Sequence, residues 1–123
     1  MVSTPVLFDT NILIDYLSAY PQARIELDTH SNRAISIITW MEVLAGASAN
    51  DAEETRAFLL NFHTIPLSTE IADRAVKIRQ TRRIKLPDAI IQATAEASGR
   101  TLVSRNTRDF PKGMAGVRTP YTR

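Results

Sequence analysis

Pro5-Val6-Leu7-Phe8-Asp9-Thr10-Asn11-Ile12-Leu13-Ile14 is the stretch that decides the fold. A short apolar run that stops abruptly at an acid reads as a strand buried on both faces, the habit of parallel sheets. Asp9-Thr10-Asn11 is helix-cap chemistry, and Ile12, Leu13, Tyr16 and Leu17 follow at helical spacing.

The same alternation continues along the chain. Pro21 marks a break, and residues 22–29 form a short helix with Ile25 inward. Ala34-Ile35-Ser36-Ile37 is a second strand, and Thr39 caps a helix over 40–47 that ends near Gly46. Asn50 or Asp51 opens a helix with Phe58, Leu59 and Phe62 on its apolar side. Thr64-Ile65-Pro66-Leu67 is a third strand, and Ser68 starts a helix that turns Ile71, Ala75 and Ile78 inward. Pro87 suits the first turn of a helix over 87–98, which stops at Gly99. Thr101-Leu102-Val103-Ser104 is a fourth strand, and a last short one lies near Val117 in a loop-rich tail. Strands alternating with helices predict an α/β fold, with helices on both faces of a parallel sheet.

The 123 residues suit one domain spanning 1–123. Cysteine is absent, which excludes disulfide scaffolds, thiol catalysis and cysteine zinc sites. No apolar run approaches the roughly 20 residues of a membrane span. The stretch Met1-Val2-Ser3-Thr4-Pro5 lacks the basic opening of a secretory leader, so the expected location is the cytoplasm. His30 and His63 are isolated, without ligand spacing, and are expected on the surface or in packing.

Net charge is +2, but it is unevenly placed. Residues 1–73 hold three arginines against ten acids, a net −7. Residues 74–123 hold twelve basic residues against three acids, a net +9. Arg74, Lys77, Arg79, Arg82, Arg83 and Lys85 form one dense block. Composition alone makes such a block a solvated helix face. It gathers phosphates if an acidic centre lies beside it.

Four polar groups sit against their surroundings. Asp9 ends an apolar strand, and in open α/β sheets ligands bind beyond the carboxyl ends of strands. Glu42 interrupts Ile37-Ile38-Thr39-Trp40-Met41-Glu42-Val43-Leu44 with no charged residue three or four positions away. Such a carboxylate must face water or be paired. Asp88 falls in the first turn of its helix, where the macrodipole favours an acid by ~0.3–1 kcal/mol. Ser104-Arg105-Asn106-Thr107-Arg108-Asp109-Phe110 again puts polar groups at a strand end. Singly, these are a cap, a salt-bridge partner, a dipole effect and an Asn turn. Together, Asp9 and the Asn106–Asp109 stretch lie at strand ends on one edge of the sheet, with Glu42 and Asp88 near the starts of the helices that flank it. A crossover topology brings them toward a single crevice. Carboxylates ~4 Å apart repel by ~4 kcal/mol at an effective dielectric near 20, so a cluster needs a cation or protons. All-oxygen donors suit Mg²⁺ or Mn²⁺ better than zinc.

These stretches resemble, in order, the four motifs of PIN-domain ribonucleases. The first is Phe8-Asp9-Thr10-Asn11-Ile12-Leu13, and the second is Ile38-Thr39-Trp40-Met41-Glu42-Val43-Leu44-Ala45-Gly46. The third is Leu86-Pro87-Asp88-Ala89-Ile90-Ile91-Gln92-Ala93-Thr94-Ala95, and the fourth runs from Leu102 to Phe110. Order, spacing and size are most similar to VapC-type toxins of bacterial toxin–antitoxin pairs.

The resemblance implies a PIN-like three-layer α/β/α fold with a short, mostly parallel central sheet. It also implies a Mg²⁺- or Mn²⁺-dependent endoribonuclease. Asp9, Glu42 and Asp88 match the three core acids, and Asn106 stands where a fourth acid often falls, with Asp109 as a supporting acid. Asn106 lowers the pocket's charge by one. Thr10 and Ser104 match polar positions that help hold water or substrate. Arg79, Arg82, Arg83, Arg105 and Arg108 are expected on RNA phosphates. The implied partners are an RNA substrate, a cognate antitoxin and a second copy of the chain, with a larger toxin–antitoxin assembly as an extension. Ile14, Tyr16, Leu17, Leu59 and Leu60 exceed what one small core requires. A dehalogenase-like phosphatase would want an acid where Asn11 stands. The alternative to the nuclease is a PIN-like module that only binds RNA or protein.

Overall fold

The computed structural model describes residues 2–123; Met1, and with it the start of the leader reading, lies outside the described residues. The elements are β1 (Val6–Phe8), α1 (Thr10–Leu17), α2 (Pro21–Thr29), β2 (Arg33–Ser36), α3 (Ile37–Ala45) and α4 (Ala52–Leu59). Then come β3 (His63–Ile65), α5 (Thr69–Thr81), α6 (Leu86–Ala97), β4 (Thr101–Val103) and β5 (Val117–Arg118). The strands form one sheet in the order β3-β2-β1-β4-β5, and every pairing is parallel.

Alternation along the strands divides the interior into two layers. Leu7, Ala34 and Leu102 face α5 and α6, where they pack with Ala75, Ile91 and Phe110. Val6, Phe8, Ile35 and Val103 face the other way and pack with Ile12, Leu13, Leu27 and Leu59. Both faces of β1 are therefore covered, and all three of its residues are buried. That is the three-layer α/β/α arrangement the resemblance implies.

Sheet order creates the site. The chain moves from β1 to β2 and β3 on one side, then crosses to β4 and β5 on the other. The β1 and β4 carboxyl ends thus flank the switch point where open α/β sheets hold ligands. Register pairs Phe8 with Val103, and the Asp9 amide donates to the Val103 carbonyl at 2.9 Å. Asp9 and Ser104 consequently leave the sheet side by side.

Several expectations need correction. The third helix starts at Ile37, and its cap is Ser36, whose hydroxyl accepts from the Ile38 amide at 3.0 Å. Thr39 lies inside the helix and is fully buried. Ser36 serves as last strand residue and cap at once, so no loop intervenes. Pro21 opens α2, with its missing N–H at an end that needs none. Ile25 is 64% exposed, and Ala23, Glu26 and Leu27 face inward instead. Glu26 is tolerated there because His30 and Arg118 bond its carboxylate. His30 is accordingly a packing residue, and His63 lies exposed on β3. Leu59 is core, whereas Leu60 is exposed.

A second buried acid ties the molecule's ends together. Asp15 on α1 accepts from Tyr121 Oη at 2.8 Å, Arg123 Nη1 at 2.7 Å and Arg105 Nη2 at 3.1 Å. Burial alone would raise its carboxyl, but bonds from Arg105, Tyr121 and Arg123 outweigh that and hold it below the usual range. Asp15→Ala should lower the unfolding free energy by about 3 kcal/mol in urea at pH 7, the lower end for breaking a buried pair, since its arginines keep some water. An acid with a depressed folded pKa stabilises above its unfolded value and loses that contribution in acid. The gap between variant and parent should therefore narrow below about pH 4.

Candidate functional site

Asp9 caps α1 from the end of β1 and is buried. Its Oδ1 accepts from the Thr10 amide at 2.7 Å. Its Oδ2 accepts from Ser104 Oγ at 2.7 Å and Asn11 Nδ2 at 3.2 Å. These bonds favour the charged form, yet the carboxyl is pushed up to about 6. Burial is the main cause, and the charges of Asp88 and Glu42 add to it. Those two acids act on Asp9 because the fold has brought all three to one pocket, which Thr10 and Asn106 also line.

Glu42 reaches the pocket from α3 and is exposed. Its Oε1 accepts from Thr10 Oγ1 at 2.7 Å, and the same Thr10 hydroxyl lies 3.0 Å from that of buried Thr39. The carboxylate can only accept, so the Thr10 proton points to Glu42. Asp88 projects from the first turn of α6. Burial raises its carboxyl, as do Asp109 and Glu42, against a lowering by Lys85. Among the described residues, no three His, Cys, Asp or Glu side chains form a ready-made ion cage. The acids share a pocket without closing on one point.

Asn106 and Asp109 are bonded to each other. Asn106 Nδ2 donates to Asp109 Oδ2 at 3.0 Å, and the Asp109 amide donates to Asn106 Oδ1 at 3.3 Å. The Asn turn is real, and it holds both residues at the pocket. Asn106 lies against Asp9 and Glu42. Asp109 faces an adjoining cavity lined by Arg79, Arg83, Lys85 and Arg108, and Asp88 and Asn106 border both spaces.

Two arginines expected on RNA are engaged with the protein. Arg105 is paired with Asp15. Arg82 donates to Gln92 Oε1 and to the Asp109 carbonyl, and its guanidinium carbon lies 5.7 Å from the Phe110 ring centroid. Arg79, Arg83 and Arg108 are exposed and, among the described residues, take part in no ion pair.

Sequence reasoning missed Asn11 and Asp15. Asn11 donates to Asp9 and Ser104 and accepts from the Arg105 amide at 3.3 Å, joining α1 to the post-β4 loop. Asp15 had a visible signal, since it stands three residues after buried Ile12 on the helix's inward stripe.

The family model for the PIN domain matches residues 6–113. The chain belongs to the PIN-domain family. This PIN domain is 29% identical over 114 residues to ribonuclease VapC10 of Mycobacterium tuberculosis, covering 86% of each chain. It is 48% identical to a chain in a toxin–antitoxin complex from Klebsiella pneumoniae, with a TM-score of 0.91 over 96% of this chain and 99% of that one. FitAcB from Neisseria gonorrhoeae has the same fold, with a TM-score of 0.78 at 23% identity, over 94% of this chain and 97% of that one. No helix among the described residues is long and apolar enough to cross a membrane.

The geometry predicts an unusual titration. In a divalent-free buffer, carboxyl-carbon NMR should place the Asp9 midpoint near 6. Asp88→Asn should move it downward by removing a like charge. An Asp9 midpoint unaffected by that change would mean the two acids do not share a field. Because the folded pKa is raised, ionised Asp9 destabilises the fold above about pH 6, and the parent should gain stability as the pH falls through that value.

Proposed function

We propose that this PIN domain is the RNA-cleaving toxin of a bacterial toxin–antitoxin pair, acting in the cytoplasm with Mg²⁺ or Mn²⁺. One observation carries the reading: an acidic pocket at the switch point shares a wall, Asp88 and Asn106, with a cavity lined by unpaired cations. Kinship to ribonuclease VapC10 and to a chain of a toxin–antitoxin complex supports the same conclusion.

The donors fit a hard divalent ion. Asp9, Asp88 and Glu42 offer only oxygen, and Asp9 is already burdened by like charge. Asp9 and Asp88 would hold the ion, with Glu42 beside them. When bound, the ion would supply Lewis acidity, making water more acidic and screening phosphoryl charge.

The chain's own groups do the rest. Thr10 fixes Glu42 through Oε1, which leaves Oε2 to orient the attacking water and take its proton. The water oxygen bonds to phosphorus as the bond to the departing ribose oxygen breaks, and that oxygen takes a proton from solvent water while Glu42 holds the proton lost by the attacking water. Ser104, Asn11 and the Thr10 amide keep Asp9 aimed at the pocket. Asn106, tied to Asp109 and Ser104, borders the phosphate position as a neutral polar group.

Ile14 and Leu17 are 39% and 44% exposed on α1, and Ile14 lines both the acidic pocket and a groove of mixed character that includes Tyr16, Val43, Phe58, Asp51 and Glu54. An antitoxin segment covering this groove would extend to the acids. Exposed Val76 on α5 and Leu86 at the start of α6 support a homodimer, and larger toxin–antitoxin assemblies extend it.

Total RNA incubated with the purified protein should be cut with Mg²⁺ present and spared with EDTA. Asp9→Asn or Asp88→Asn should each reduce cleavage by more than about 100-fold with the fold intact by circular dichroism. Cleavage that persists in both variants would overturn the site. The alternative, a module that binds without cutting, draws its support from Asn106, a neutral group where a fourth acid often falls. It predicts binding of the same RNA with no Mg²⁺-dependent products. Light scattering of the chain alone should give a mass near twice 13.7 kDa, and a strict monomer would refute the dimer.

A further inference from the structure

The basic cavity is distinct in construction from the acidic pocket. Arg79 comes from the last turn of α5, Arg83 and Lys85 from the α5–α6 link, and Arg108 from the loop after β4. Among the described residues, none of the four is in an ion pair. Their neighbours Arg82 and Arg105 are bonded into the protein. The cavity measures about 710 Å³, with buried Ile84 in its lining. Four cations face two carboxylates there, Asp88 and Asp109. The excess positive charge is self-repelling until an anion enters.

Arg82 braces the segments that line this space. Its guanidinium ties the α5–α6 link, which carries Arg83 and Lys85, to Gln92 on α6 and to the carbonyl of Asp109 in the loop after β4. Asp88 and Asn106 form the ridge between the cavity and the acidic pocket.

We infer that this cavity is a binding subsite for one phosphodiester next to the scissile one, on one side only, of a single-stranded RNA. The inference rests on the nuclease reading and adds a direction to it. The strand crosses the Asp88–Asn106 ridge with the reacting phosphate at Asp9 and Glu42. Its neighbour on one side lies against Arg79, Arg83, Lys85 and Arg108. Arg105, the one cation in the acidic pocket's own lining, is already held by Asp15, so free cations meet the strand only through the cavity that shares Asp88 and Asn106.

Two measurements test the subsite. The first is anisotropy of a labelled single-stranded 10-mer RNA on the uncut Asp9→Asn background, across salt concentrations. Combining Arg83→Met with Arg108→Met should weaken binding about 10-fold or more and flatten the log–log salt slope by about 0.7, the value for the one phosphate that loses its cations. Arg24→Met, on the far helix α2, should change neither. An unaltered slope in the double variant would overturn the subsite.

The second places a neutral methylphosphonate at each position flanking the mapped cut. Cleavage by the parent should fall about 10-fold for one flank and little for the other, and the double variant should lose that difference. Equal sensitivity on both flanks, or a difference that survives in the double variant, would also overturn it. A protein that binds with the expected slope but cuts no RNA would instead defeat the nuclease reading. Both substituted arginines are exposed, so the variants should keep the parent's melting temperature.

Discussion

A carboxylate held almost dry at the end of the central strand is the constraint around which this fold is arranged. Asp9 would leave such a position for water unless its oxygens were met by donors. Three donors from two segments meet them: the backbone amide of Thr10 and the side-chain amide of Asn11, both in α1, and the Ser104 hydroxyl after β4. Ser104 can do so because β1 and β4 are neighbours in parallel register. The bonds offset desolvation without abolishing it, and like charges from Asp88 and Glu42 keep the acid poised near neutrality. A site with this balance has a standing attraction for a positive ion.

The remaining polar network serves that edge. Asp15 holds Arg105, whose backbone amide in turn touches Asn11. Arg82 holds the Asp109 carbonyl from the other side. The loop carrying Asn106 and Asp109 is thereby pinned near both ends by guanidinium groups bonded into the protein. On the proposed nuclease reading, the cations outside any ion pair, Arg79, Arg83, Lys85 and Arg108, are the ones left to meet phosphate.

The alternating order of strands and helices was legible because β1, β2 and β4 centre on short apolar runs, Val6–Phe8, Ala34–Ile35 and Leu102–Val103, that are buried on both sides. Asp9, Glu42 and Asp88 stood out because each is an acid in apolar company. The start of α3 was not legible: Ser36 ends a strand and caps a helix in one residue, a double role that no local pattern displays. Ile25 was misjudged because Glu26 takes the inward place, and the arginine that makes this tolerable lies 92 positions away. The Asp15–Tyr121 bond joins residues 106 apart, so only the closed fold reveals it. Arg82 could not be separated from Arg83 by sequence, since its partner in the loop is a backbone carbonyl.

Acids from three separate parts of the chain, Asp9, Glu42 and Asp88, are proposed to grip one divalent ion. Titration of Mn²⁺ into the protein, followed by water-proton relaxation, addresses it without reference to any RNA. Saturable binding by the parent that is lost in Asp88→Asn is the predicted result. Binding of equal strength in the two proteins, or none in the parent, would contradict it.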